Sequence, residues 1–255
     1  MFDWDLFATP FLTGLLFAIM LPILGTYLRL RNEWLAALSF AHVAAAGALL
    51  GSLIGLPAVA GGMLFSAFAG AGQRLFAKRL SGEAAYALLL LLGWSVSVLV
   101  TANQPLAERL GHALFDGQLY FSSSVDLAWA LAGVVLALLV LGILSRRLLL
   151  IRLYPDYFAC RGGSGWPADL LFSVLTALAL ALATMSLGVM GCFALVFVPP
   201  WLAFRRAGNW RSGLRWAVAL GVLSYLLAFT IALYLDQPFG AVLAAIAVIL
   251  ALLIA

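Results

Sequence analysis

The sequence predicts an all-α fold, a polytopic transmembrane helix bundle of about eight or nine spans with its N-terminus outside. Of its 255 residues, 65% are hydrophobic and only 9% are charged, whereas about a quarter of the residues in a soluble domain are charged. Apolar segments follow one another along the whole chain, and short basic connections separate them. These features predict a single transmembrane domain that covers residues 1–255.

Nine segments have the length and composition of a membrane span. A bilayer core about 30 Å thick requires roughly 17 to 25 apolar residues per helix. Residues 170–204 are apolar throughout, so one long tilted helix is an alternative to two spans there. The predicted spans cover residues 6–28, 34–54, 57–73, 84–101, 127–145, 170–187, 189–204, 216–235 and 238–254.

The positions of the basic residues decide between these alternatives. If residues 170–204 crossed the membrane once, Arg205 and Arg206 would fall on the side opposite to most other basic residues. We therefore predict a turn at residues 186–188 and assign the basic side to the cytoplasm. The net charge of the chain is +4, and the positive-inside rule explains this excess of basic residues. The charge therefore does not imply a nucleic acid partner. Thirteen of the 14 basic residues occupy alternate connections, namely Arg29, Arg31, Arg74, Lys78, Arg79, Arg146, Arg147, Arg152, Arg161, Arg205, Arg206, Arg211 and Arg215.

Two rows of small residues mark the second and third spans. Such rows let helix backbones approach closely in lipid, so we expect these spans to pack as a hairpin across residues 56–57. Glycine is also frequent in membrane helices generally, which would require no such packing. The rows consist of Gly47, Gly51 and Gly55, and of Gly62, Ser66 and Gly70.

The connection between the fourth and fifth spans contains a helix signal of its own. Leu106, Leu110 and Leu114 recur every four residues after a turn signal, a pattern that predicts an interfacial helix lying flat on the bilayer. Ser123 stands three residues before Asp126. This capping-box spacing predicts the start of the next span.

Ionisable residues are nearly absent from the middle of the spans, where a charge is costly and usually functional. Ion-driven carriers need carboxylates near the midplane, and membrane metalloenzymes need clusters of metal ligands, so the composition disfavours both classes. The sequence also has no G-x-x-x-x-G-K-[ST] phosphate loop, the motif that would bind ATP. We therefore expect a chain that is not an enzyme and binds no cofactor, with any ATP used by a partner subunit.

His42 is the only histidine within a predicted span. A neutral imidazole is a good ligand for zinc, manganese or iron ions. A buried imidazole that is merely hydrogen-bonded to a carbonyl group is the alternative. His42 and the nearby Ser39 are therefore candidates for a translocation path or a metal site.

The longest basic interruption covers residues 145–169. It combines arginines with an adjacent Tyr-Phe pair and a Gly/Pro-rich end. This composition predicts a short amphipathic element at a membrane surface, followed by a turn.

Five segments, in the same order, resemble the permease subunits of ABC importers for zinc, manganese or iron. Residues 38–42 resemble the family's Gly-Asp-Ala-Leu-Ser-His-Ala segment, and residues 154–162 resemble its ATPase-facing Asp-x-x-Phe-Ala-x-x-x-Gly loop. Residues 236–240 are similar to the Asp-x-Pro-x-Gly motif that begins the last span. The two other segments are residues 114–126, which resemble a Leu-Phe-Gly stretch before Asp-Leu, and residues 188–205, which resemble a Val-Gly to Leu-Pro-Ala-Ala-x-Ala-Arg helix.

The resemblance implies a multi-pass subunit of the bacterial inner (plasma) membrane. Its partners would be an ABC ATPase subunit, a soluble metal-binding protein, the lipid bilayer and a second copy of the chain, with the translocation path in the homodimer interface. The segment 146–169 would contain the cytoplasmic coupling loop that docks into the ATPase. The residues that match this loop are Asp156, Tyr157, Phe158, Ala159, Arg161 and Gly162.

The sequence departs from the family pattern beside the histidine. The family's Asp four residues before it is Leu38 here, and the Pro before Gly47 is Ala46. A single imidazole holds a divalent ion weakly, so a different metal, a metal chelate or an unrelated substrate remain alternatives. A further alternative is a stand-alone carrier or channel for a neutral substrate.

Overall fold

Helices form the whole secondary structure of the part of the chain that the structure describes. This computed structural model describes residues 4–77, 82–154, 158 and 165–254, and the predicted all-α fold class is confirmed. In chain order the helices are α1 (Trp4–Arg31), α2 (Trp34–Leu53), α3 (Ala58–Ala77), α4 (Gly82–Asn103), α5 (Pro105–Asp116), a 3-10 turn (Leu119–Phe121), α6 (Ser124–Leu153), α7 (Trp166–Arg206), α8 (Trp210–Leu235) and α9 (Phe239–Ile254).

Most of the predicted spans coincide with a long apolar helix. Among the described residues, α1, α2, α4, α6, α7 and α8 have the length and composition to cross a membrane. The predicted span 238–254 corresponds to α9, a shorter apolar helix of 16 residues. The predicted span 57–73 corresponds to α3, which is rich in Gly and is not among these six helices. The predicted spans 170–187 and 189–204 are the two halves of α7.

Helix α7 turns back on itself at Gly188. Its 41 residues would measure about 60 Å if straight, about twice the thickness of a bilayer core. Both ends nevertheless contact the last turn of α1, since Arg31 binds Asp169 and Arg29 lies over the ring of Phe204. The backbone of Gly188 is non-helical, with φ 76° and ψ 165°. The turn therefore lies where the charge pattern places it.

Three glycines bring backbone segments together at the turn of α7. Gly117 ends α5 with φ 85°, and Gly240 lies in the first turn of α9. A Cβ at Gly188 would lie 2.7 Å from the backbone nitrogen of Gly117. A Cβ at Gly240 would lie 2.7 Å from the carbonyl oxygens of Asp116 and Leu187. We call Gly117, Gly188 and Gly240 the glycine junction, since only glycine fits at these contacts.

Basic residues from several connections gather at the opposite end of the bundle. The Tyr27 hydroxyl donates to Ser145 Oγ there, at 2.7 Å, which ties α1 to α6. The positive-inside rule predicts that this end faces the cytoplasm. We call it the basic end, and the residues that define it are Arg29, Arg31, Arg146, Arg206 and Arg211.

The predicted helix after the fourth span exists as α5. Ala107 and Leu114 are only 3% and 2% exposed, and they pack in a cluster with Leu49 of α2 and Val189 of α7. The apolar face of α5 is therefore buried against other helices of the protein.

Helix α6 begins as predicted and ends later than predicted. Ser123 and Asp126 form the predicted capping box, in which Ser123 N donates to Asp126 Oδ2 at 2.8 Å. The helix continues to Leu153, past the predicted end at residue 145. Residues 146–153 are Arg, Leu and Ile, which are acceptable or good helix formers. The amphipathic stretch is thus the end of α6 instead of a separate element.

Two helices present broad apolar faces to the surroundings. On α4, Leu92 and Leu99 are 60% and 63% exposed, and on α6, Leu139 and Ile143 are 62% and 78% exposed. Soluble monomers rarely expose such continuous apolar surface. These faces suit lipid chains or a second copy of the chain.

Candidate functional site

His42 lies at the centre of the bundle, between α4 and α5. Its side chain is 8% exposed, and its ring packs edge-on against Phe115 with 5.7 Å between centroids. Helix α4 passes so close that a Cβ at Gly93 would lie 2.9 Å from the carbonyl carbon of His42. The backbone of His42 is therefore in close contact with α4, whereas its imidazole ring contacts Phe115 of α5.

The hydrogen bond of His42 determines which ring nitrogen is available. Nδ1 lies 2.9 Å from the carbonyl oxygen of Leu38. A carbonyl only accepts, so Nδ1 carries the proton and, in the neutral ring, Nε2 keeps its lone pair. Every fully buried side-chain nitrogen or oxygen of the described residues has a hydrogen-bond partner. Nε2 of His42 has no such partner among those residues, so it cannot be fully buried. This nitrogen therefore retains access to the surface.

Ser39, the other path candidate, takes part in helix packing. It is fully buried, and its hydroxyl lies 2.7 Å from the carbonyl oxygen of Leu35 and 2.5 Å from that of Tyr86. The first contact is within α2 and the second ties α2 to α4. The hydroxyl proton is therefore shared between two carbonyl oxygens.

The position one turn before His42 carries no metal ligand, since Leu38 is half-buried and apolar. Among the described residues, no three His, Cys, Asp or Glu side chains come close enough to hold one ion. The described residues therefore contain no metal site of three such ligands around His42.

A groove of about 420 Å³ lies between α4 and α5; Phe115 lines it, and His42 is not part of its lining. Trp94 and Val98 form part of its apolar wall, and Glu108 and His112 supply polar groups. His112 is 75% exposed and lies 4.0 Å from Asp116. The contact between Phe115 and His42 could not be predicted from the sequence, since the two residues are far apart in the chain and no motif links them.

The glycine row of α2 faces α3 over part of its length. A Cβ at Gly47 would lie 2.7 Å from the carbonyl oxygen of Gly61, and one at Gly51 would lie 3.0 Å from Gly61 Cα. Gly55 differs from the predicted row. It lies beyond the end of α2 in a turn with φ 77°, and a Cβ there would meet nothing within 4 Å. Its role is therefore in the turn, where a positive φ favours glycine.

The small residues of α3 contact two different helices. A Cβ at Gly62 would lie 3.0 Å from the carbonyl oxygen of Ala44, and the Ser66 hydroxyl donates to the carbonyl oxygen of Phe40 at 3.1 Å. A Cβ at Gly70 would instead lie 2.9 Å from the carbonyl oxygen of Ser173. Helix α3 is thus packed against α2 and α7 at the same time.

Most of the predicted coupling loop lies outside the described residues. This holds for Asp156, Tyr157, Ala159, Arg161 and Gly162. Phe158 is described and is half-buried. The two segments that flank the loop, the end of α6 and the start of α7, both belong to the basic end.

An ion-pair network links the start of α7 to α1 and α2. Arg31 Nε donates to Glu33 Oε2, and Arg31 Nη1 donates to Asp169 Oδ1, both at 2.8 Å. The Tyr86 hydroxyl of α4 donates to Glu33 at 3.3 Å. These ionic side chains are only 14% to 21% exposed. We call Arg31, Glu33 and Asp169 the Arg31 network; the sequence indicated Arg31 only as a marker of topology.

The family model described as the ABC 3 transport family matches residues 3–255. The chain belongs to the ABC 3 transport family. The suspected resemblance to ABC importer permeases is confirmed by this match, which covers nearly the whole chain. Members are permease subunits of membrane transporters, which agrees with the long apolar helices. No curated protein is significantly similar to this ABC 3 family chain in sequence.

Two solved structures share the fold of this ABC 3 family chain. The first is PsaBC from Streptococcus pneumoniae in complex with Fab, with a TM-score of 0.86 and 18% identity over 98% of this chain and 91% of that chain. The second is described as an inward-facing conformation of a metal-chelate type ABC transporter, with a TM-score of 0.81 and 21% identity over 95% of this chain and 83% of that chain. At these identities, the similarity shows the fold alone.

Proposed function

We propose that the chain is the permease subunit of an ATP-driven importer for divalent metal ions, namely zinc, manganese or iron. A soluble binding protein delivers the ion, and two copies of the chain enclose the path in the bacterial inner membrane. A separate ATPase subunit docks on the segment 146–169 and supplies the energy. Family membership supports the transport role, and the similar structure described as a metal-chelate type ABC transporter is consistent with a transported metal.

The observation that carries the metal assignment is the state of His42. Its Nδ1–H is fixed on the carbonyl oxygen of Leu38, so the lone pair of Nε2 is free to bind a cation. The site lies in an apolar part of the bundle, where a neutral ligand costs less than a carboxylate. A single imidazole binds weakly, and weak binding suits a path through which an ion must leave as well as enter.

In this proposal, Phe115 covers the side of His42 that faces the groove between α4 and α5. An ion reaches His42 only when α5 shifts relative to α2. Closure of the ATPase dimer would act on the basic end and shift the helices between two arrangements. Two copies of the chain would supply two imidazoles to the path.

Replacing His42 with Ala is expected to lower metal uptake about tenfold, because the free lone pair of Nε2 disappears from the path. Uptake of zinc, manganese and iron is measured separately in a deletion strain, at equal amounts of protein in the membrane. The matched control is His112→Ala, which removes a histidine that is 75% exposed and should change uptake less than twofold. Equal uptake by His42→Ala and the unmodified protein, for all three metals, would remove His42 from the path.

Replacing Tyr157 and Phe158 together with Ala is expected to weaken ATPase binding at least tenfold, because buried aromatic anchors dominate such contacts. Co-purification of the ATPase with the membrane protein measures the effect. The control is Tyr234→Ala with Leu235→Ala, which truncates an adjacent aromatic and aliphatic pair, 82% and 54% exposed, at the end of α8 and outside the segment 146–169. An ATPase that binds the first double variant and the control equally well would place the docking site elsewhere.

A second candidate is a stand-alone carrier or channel for a neutral substrate. Leu38 favours it, since an apolar side chain occupies the position where the resemblance implies a carboxylate. The two functions differ in their energy source. Uptake into liposomes by the purified chain alone would support the second candidate, whereas uptake that requires the ATPase and ATP would support the importer.

A further inference from the structure

A second groove, of about 490 Å³, opens at the basic end between α6 and α8. Its polar lining consists of Arg146, Arg211 and the hydroxyl of Ser145, which accepts a hydrogen bond from Tyr27. Trp210, in the first turn of α8, adds an aromatic wall. The groove thus combines two cations with apolar surface at one end of the bundle.

The two arginines have no anionic partner within the described residues. Neither Arg146 nor Arg211 takes part in an ion pair or hydrogen bond there, whereas Arg31 at the same end is paired with two carboxylates. Both guanidinium groups are exposed. Arg211 also lies in the first turn of α8, where the helix dipole adds positive potential. Within the described residues, the positive charge of the groove therefore has no anionic partner.

The apolar part of the groove extends along a predicted membrane span. Gly142 lines it one turn before Arg146 and falls within the predicted span 127–145. Gly142 is exposed, and a Cβ there would meet nothing within 4 Å. The groove is therefore open beside this span. Leu149 and Leu150 complete the apolar wall near the surface.

We propose that this groove binds an anionic phospholipid, with the phosphate between Arg146 and Arg211 and an acyl chain beside Gly142. Basic pockets between transmembrane helices on the cytoplasmic side are suited to such headgroups. A free phosphate would use the arginines but not the apolar channel at Gly142. An acidic segment of a partner protein would have no reason to follow the groove below the membrane surface. The proposal is independent of the transported substrate.

The test uses the full chain, purified with any subunits that accompany it, in nanodiscs with equal amounts of phosphatidylglycerol and phosphatidylcholine. Lipid that stays bound after detergent extraction is identified by native mass spectrometry. We expect phosphatidylglycerol to be enriched about 30-fold over phosphatidylcholine, since each basic side chain near a membrane surface contributes roughly fivefold. Arg146→Gln with Arg211→Gln should abolish the enrichment.

The matched control is Arg147→Gln with Arg215→Gln, which removes the same charge from the same two helices outside the groove. Both of these arginines are exposed, and this variant should keep the enrichment. Equal loss in both double variants would overturn the proposal in favour of a general charge effect. Displacement of the lipid by millimolar inorganic phosphate would also overturn it, as would retained lipid together with loss of a co-purified ATPase. Equal melting temperatures in phosphatidylcholine alone establish that both variants are folded.

Discussion

Replacing Gly188 with Ala is expected to destabilise the protein by about 3 kcal/mol. The φ of 76° and ψ of 165° belong to a region that essentially only glycine occupies. The added Cβ would also lie 2.7 Å from the backbone nitrogen of Gly117 and 2.7 Å from the carbonyl oxygen of Phe115. Backbone atoms cannot move aside as the end of a flexible side chain can, so strain and overlap both contribute.

Thermal unfolding in detergent measures this effect, with an expected fall in melting temperature of about 10 °C. The matched control is Gly72→Ala in α3, where the new Cβ would meet nothing within 4 Å and alanine is the better helix former. We expect the control to melt at or slightly above the temperature of the unmodified protein. If Gly188→Ala and Gly72→Ala had the same melting temperature, the turn geometry described for α7 would be wrong.

Replacing Arg31 with Met is expected to cost about 3 kcal/mol, because it removes the cation of a largely buried network. The carboxylate of Glu33 loses its double hydrogen bond, and Asp169 loses a partner at 2.8 Å. The methionine keeps most of the apolar stem, so the loss is mainly electrostatic. Because Asp169 lies at the start of α7, we also expect looser coupling between ATP hydrolysis and uptake.

Two comparisons separate the network from a general loss of charge. Arg29→Met removes an arginine two residues away that lies over the ring of Phe204 and is expected to cost about 1 kcal/mol or less. Combining Arg31→Met with Glu33→Gln and Asp169→Asn should recover part of the stability, because no uncompensated charge then remains in the network. Equal melting temperatures for Arg31→Met and Arg29→Met would show that the Arg31 network contributes little.

The fold was largely predictable because its strongest signals are local. Apolar length marks the spans, and the alternation of basic connections identifies the turn within residues 170–204. Ser123 and Asp126 specify the start of α6 through a spacing that the chain itself contains. The predicted end of α6 was wrong by several residues. The helix continues through residues 146–153 because neither glycine nor proline interrupts them.

The candidate site was less predictable because it depends on contacts between distant segments. His42 was identified from its rarity in an apolar helix, but its neighbour Phe115 comes from α5, a helix expected to lie on the membrane surface. Ser39 lies near His42 in the first half of α2, and its hydroxyl donates a hydrogen bond to the carbonyl oxygen of Tyr86 on α4. This contact between two helices could not be predicted from the sequence. The pairing of Arg31 with Asp169 joins residues 138 positions apart, and no sequence pattern indicates it.

The glycine junction has a mechanical consequence. No side chain separates the backbones of α5, α7 and α9 there. The backbones are in direct contact, so one segment cannot move past another without steric overlap. Any rearrangement of the bundle should therefore carry Gly117, Gly188 and Gly240 together as a rigid body. Distances between spin labels on these three segments would stay constant through a transport cycle, while distances measured at the basic end would change.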